Sequence, residues 1–164
     1  MAGMFPTMVS DPGDRNRRFT GEVGERWPGT LRTSYYLCLV SAVLMLVIGF
    51  AQLAKGAPAD FDPDSGSKFM LNLRVLAWGN IIFGIGLTCA AAYFPKGSKT
   101  ARRVAAAFIG LTIFVNLAGF VVNVSGWASF TVVIVLVFAL FFAFRPDANA
   151  YVDKMSGDVW QGVE

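Results

Sequence analysis

The sequence contains no histidine and only two cysteines, Cys38 and Cys89, among its 164 residues. Without histidine there is no imidazole to act as a general base, to ligate haem iron, or to hold zinc or copper in the usual way. The cysteines stand 51 residues apart within apolar stretches and lack the CxxC spacing of a redox pair or zinc site. They read as small apolar packing residues. Charge is scarce too, at 15% of residues. No pair of carboxylates falls inside an apolar stretch. These absences predict a protein that is not an enzyme and that carries no cofactor or metal.

What is abundant is apolar surface. Hydrophobic residues make up 55% of the chain and the mean hydropathy is +0.54, too high for an ordinary soluble domain of this size. The length allows about four helices of roughly 20 residues each. The expected fold is an all-α membrane protein, an antiparallel bundle of four transmembrane helices. Residues 1–32 would form a cytoplasmic arm, 33–144 the transmembrane domain and 145–164 a cytoplasmic tail. The arm lacks the apolar core and cleavage site of a signal peptide. The net charge of +3 does not imply nucleic acid as a partner, because the cations cluster beside apolar segments, where they set topology.

The stretch Pro95–Arg103, PKGSKTARR, orients the whole chain. It carries Lys96, Lys99, Arg102 and Arg103, no acid, and has long apolar segments on both sides. A short loop of this kind stays on the cytoplasmic side of a bilayer. Eleven of the 14 lysines and arginines then lie inside, two lie in outer loops, and Arg74 sits at a boundary. Both termini are expected in the cytoplasm.

Within the spans, polar residues are few and patterned. Ala105, Thr112, Asn116, Gly119 and Asn123 fall within about 60° of one line on the third span, expected over Val104–Val124. Lipid would make those amides costly, so the stripe should face protein or water. Asn80 in the second span, expected over Phe69–Phe94, lies about 8 Å below the outer boundary, and Asn116 lies about 12 Å from the outer end of its helix. The matching depths predict that these two amides bond to each other. Cys38, Ala42 and Gly49 align on the first span, and Gly79, Gly86 and Ala90 on the second, as close-packing lines. The fourth span is almost wholly Val, Leu, Ile and Phe. In the first outer loop, Asp60, Asp62 and Asp64 alternate as in a calcium loop, but Ser65 and Leu71 stand where such a loop needs glycine and a carboxylate.

Both tails hold apolar residues unusual for free ends. Met4, Phe5 and Met8 open the chain, and Tyr151, Met155 and Val159 recur at i, i+4 and i+8 with Trp160 beside them. Pro146 suits the first turn of a helix there. These positions are expected to touch a membrane surface or a partner chain.

Known four-helix membrane proteins with chemistry carry residues missing here. A quinone-reducing thiol oxidoreductase needs paired loop cysteines, a four-helix cytochrome b needs membrane histidines, and a small multidrug transporter needs a glutamate in its first span. Tetraspan junction proteins carry outer-loop cysteines. The fourth span running into FRPDANAYVDKM (Phe144–Met155) resembles the ends of small four-helix membrane proteins of actinobacteria, some of which are accessory subunits of respiratory supercomplexes. That resemblance implies a non-catalytic accessory subunit in a bacterial inner membrane, with lipids and larger membrane subunits as partners. The alternative is a small homo-oligomeric transporter or channel lined by the amides of the third span.

Overall fold

A computed structural model describes Gly24 and Arg26–Ser156. All regular structure among these residues is helical: α1 (Gly29–Ala54), α2 (Pro63–Ala91), α3 (Lys99–Val121), α4 (Trp127–Ala143) and α5 (Pro146–Met155), with one 3-10 turn at Phe94–Lys96. Met4, Phe5, Met8 and Trp160 lie outside the described residues.

The helices begin earlier than hydropathy suggests, because their starts are set by capping rather than by lipid. Extended Pro28 precedes α1, so Leu31, assigned to the arm by hydropathy, is fully buried in the core. The Asp62 carboxylate accepts from the Ser65 N–H at 3.1 Å, and Pro63 occupies the first turn of α2. Six residues of the expected outer loop are therefore helical. The Ser65 side chain and backbone N–H both bond to Asp62 and hold its carboxyl below the usual carboxylate range. The alternating aspartates thus serve a helix start: Asp62 caps α2 and Asp64 lies in its first turn. Ser98 caps α3, its Oγ accepting from the Ala101 N–H at 3.2 Å.

The end of α3 corrects the stripe. Asn123 is not on the helix; it stands beyond it at φ 57° and is exposed. The Val124 N–H reaches the Gly119 carbonyl at 2.9 Å and the Asn123 N–H reaches the Phe120 carbonyl at 3.1 Å. This is a Schellman ending, and asparagine suits its left-handed position. Val124 then folds back onto Leu73 and Leu76.

Small residues set the register of the bundle. A Cβ on Gly49 would lie 2.9 Å from the Ala77 carbonyl oxygen, and one on Gly84 would lie 3.4 Å from that of Ala42, so α1 and α2 run in opposite directions with backbones close. Gly79 faces Val115, Gly86 faces Phe108 and Gly119 faces Leu76, which opposes α2 and α3 in the same way. Helix α4 packs on α1 and α3; the Ser34 hydroxyl donates to the Ala139 carbonyl at 2.8 Å.

These registers bring Cys38, Leu87, Ile109 and Leu136, one from each of the four long helices, within about one helical turn of the same level. All four are 1% exposed or less. The outer faces are apolar as well: Val43 and Val47 on α1, Ile82 and Ile85 on α2, Phe114 and Val121 on α3, and Phe138 and Phe141 on α4 are all more than half exposed. A soluble monomer does not present such a surface on every side. Three helical stretches, Gly29–Ala54, Pro63–Lys96 and Lys99–Val121, are long and apolar enough to cross a membrane. Helix α4 makes a fourth when taken with α5, from which it is bent by 61°.

Candidate functional site: an amide ladder and a basic end

Besides the single buried hydroxyls of Ser34, Ser41 and Ser129, two clusters of polar side chains stand inside this apolar frame. The first is a ladder across three helices. Asn116 Nδ2 donates to Asn80 Oδ1 at 2.8 Å and to the Thr112 carbonyl at 2.9 Å. Asn80 Nδ2 donates to Gln52 Oε1 at 3.3 Å. Gln52, Asn80, Thr112 and Asn116 are all buried. Asn116 Oδ1 and Thr112 Oγ1 have no hydrogen-bond partner. Nothing in the ladder titrates, so it offers no acid, base or nucleophile; its chemistry is hydrogen bonding between helices.

Gln52 was not singled out by sequence. It stands three residues before Lys55 at the end of α1, where a glutamine reads as interfacial. Its signal is position: it follows Gly49 by three residues and so lies on the small-residue face that packs on α2. Helical side chains lean toward the N-terminus, which carries its amide back into the bundle.

The second place is the end bearing Lys96, Lys99, Arg102 and Arg103. These four do not form a uniform solvated loop. Lys96 is exposed and lies over the Tyr93 ring at 4.9 Å. Lys99 pairs with Asp153 at 3.3 Å, and Arg103 is exposed. Arg102 is only 7% exposed. Its Nη1 donates to Asn149 Oδ1 at 2.6 Å and to the Ala143 carbonyl at 3.4 Å, and its guanidinium lies 4.8 Å from the centre of the Phe144 ring.

Helix α5 is what buries Arg102, and this overturns one expected partner contact. Tyr151 is 2% exposed and donates its hydroxyl to the Pro95 carbonyl at 2.8 Å. It is engaged by its own chain rather than by a partner. The 61° bend after α4 lays α5 across the bundle end, so the Tyr151 face turns inward. Ala148 and Val152 join the same core, and Thr30 Oγ1 donates to Asp147 Oδ2 at 2.6 Å. Met155, on the same sequence repeat, remains 47% exposed and packs over Gly97, whose φ is +64°. Among the described residues, no group of three or more Cys, Asp or Glu side chains is gathered to hold a metal ion.

Residues 35–146 match the family described as "Domain of unknown function (DUF7144)". The match runs from Tyr35, within α1, to the first residue of α5 and so includes the ladder and all four cations, whereas Asn149, Tyr151 and Asp153 lie beyond it. No curated protein and no solved structure matches the chain.

Proposed function

The chain belongs to the DUF7144 family, and we propose, from its own residues, that it is a non-catalytic accessory subunit that binds and stabilises a larger membrane complex. In this reading α1 to α4 are four antiparallel spans in a bacterial cell membrane, with both termini and the basic end in the cytoplasm. At 17 residues, α4 rises about 26 Å and sits at the short end of the spanning range. The observation that carries the reading is the apolar layer of Cys38, Leu87, Ile109 and Leu136. It lies between the amide ladder and the basic end, and the buried polar side chains nearest it, Ser34 and Ser41, are single hydroxyls, thin for the lining that a conducting pathway needs. The ladder then serves to pin helices.

The outer face of α4, with Phe130, Ile134, Val137, Phe138 and Phe141 exposed, is the contact surface for the partner. The resemblance of Phe144–Met155 makes a respiratory complex the first partner to test. Purification from its native membrane in mild detergent should retain larger membrane subunits, and Phe138→Ser together with Phe141→Ser should release them while the bundle stays helical. Protein that purifies as a lone homo-oligomer and moves an ion or solute across liposomes would replace this reading with the transporter. Orientation is checked separately in a chain with both native cysteines replaced: impermeant labelling from outside should reach Gly56→Cys and not Lys96→Cys.

A further inference from the structure

The cleft where α3 meets the α4–α5 bend has a volume of about 220 Å³ and is lined by Lys99, Arg102, Arg103, Phe144, Asn149 and Asp153. We propose that this cleft binds a phosphate group. The central observation is Arg102. It is more than nine-tenths buried, yet both of its hydrogen bonds leave from Nη1, and its Nε has no partner. A buried guanidinium is costly unless its donors are met by an anion. Here an amide oxygen, a backbone carbonyl and the Phe144 ring meet it in part, and no carboxylate pairs with it among the described residues.

The Nε side of a guanidinium is one half of the fork that takes a carboxylate or phosphate through two parallel hydrogen bonds. The chain's own carboxylate in the cleft, Asp153, is turned to Lys99 at 3.3 Å, so no described carboxylate takes the Nε of Arg102, which is unpartnered and sealed from solvent while the residue lines the cleft. Among the described residues, the lining holds three cations and one carboxylate, a balance that suits a singly or doubly charged phosphate. The cleft also lies at the end of an apolar bundle, with the rings of Phe141 and Phe144 exposed beside it. Phosphate in that position comes either from the headgroup of an anionic lipid or from a soluble phosphate, and the two sources share the recognition chemistry. The inference stands on the cleft alone and does not depend on the accessory-subunit reading.

The test uses the full chain purified in uncharged detergent. One arm titrates inorganic phosphate against chloride at constant ionic strength and follows thermal unfolding. The other compares retention of phosphatidylglycerol and phosphatidylcholine after transfer from mixed nanodiscs, read by native mass spectrometry. Preference for phosphatidylglycerol without a phosphate effect identifies a lipid headgroup. Saturable protection by inorganic phosphate identifies a site open to soluble phosphate. Arg103→Gln, an exposed change that leaves the fold intact, should weaken the observed binding about fivefold. Arg102→Lys, which keeps the charge and removes the fork, should weaken it further, and Lys68→Gln at the opposite end should leave it unchanged. No response to either probe, or binding by Arg103→Gln equal to that of the parent chain, would overturn the proposal.

Discussion

Asn80 stands at the centre of the amide ladder, and replacing each rung by leucine should rank the three positions unequally. Asn80→Leu removes two interhelical bonds, to Gln52 at 3.3 Å and to Asn116 at 2.8 Å. Asn116→Leu removes one interhelical bond, and its other bond, to the Thr112 carbonyl, lies within α3. Gln52→Leu removes one. An interhelical hydrogen bond in a membrane protein averages about 0.6 kcal/mol and reaches about 1.7. The expected losses are thus about 1.2 kcal/mol or somewhat more for Asn80→Leu and about 0.6 kcal/mol for each of the others. A double-mutant cycle sharpens this. Asn80 and Asn116 should couple by about 0.6 kcal/mol, whereas Gln52 and Asn116, which are joined only through Asn80, should be nearly additive. Reversible unfolding in mixed micelles of increasing sodium dodecyl sulfate content measures all of these. The reasoning fails if Asn80→Leu costs no more than Gln52→Leu, or if the ladder's ends couple as strongly as its neighbours.

Gly97→Ala places a Cβ against Met155 at a backbone with φ +64°, so it should lift α5 from the bundle. Limited proteolysis should then cut near Pro146 faster than in the parent chain while α1 to α4 stay protected. Asn123→Val puts a β-branched residue at φ 57° and should destabilise the α3 end by about 1–2 kcal/mol, whereas Asn123→Gly should be close to neutral; the same micelle titration reads both. The Asp62 carboxyl is held low in the folded state by Ser65. Its cap therefore stabilises above the ordinary carboxylate pKa, and that contribution fades as pH falls through the lowered folded value. Asp62→Asn should flatten this part of the acid-side stability profile, measured by thermal unfolding.

The helical, membrane-like character was legible because composition alone decides it, and the meeting of Asn80 with Asn116 followed from two depths counted along straight helices. Boundaries were less legible. Hydropathy marks where lipid would begin, while Pro28, Asp62 and Ser98 mark where hydrogen bonding begins. The stripe on α3 was carried one turn too far because periodicity continues on paper after a Schellman ending stops the helix, which is how exposed Asn123 entered the packing set. Arg102 looked like its neighbours because a run of cations has one meaning in topology. What separates it is a helix 43 residues further on, counted from Arg102 to Arg145 at the start of the bend. The same bend turned Tyr151 from a surface residue into a core one, and no local pattern records a bend between two helices.

Helix α5 has a consequence for the order in which the chain can be completed. It is the last of the described helices to be synthesised, yet it touches the first turn of α1 through Asp147, the link between α2 and α3 through Tyr151, and the start of α3 through Asn149 and Asp153. A nascent chain stopped before Pro146 would hold its apolar helices but leave the Arg102 guanidinium without Asn149 and the Pro95 carbonyl without its donor. Unfinished copies therefore differ from finished ones at one end of the bundle, where these polar groups lose their partners and the core loses Ala148, Tyr151 and Val152.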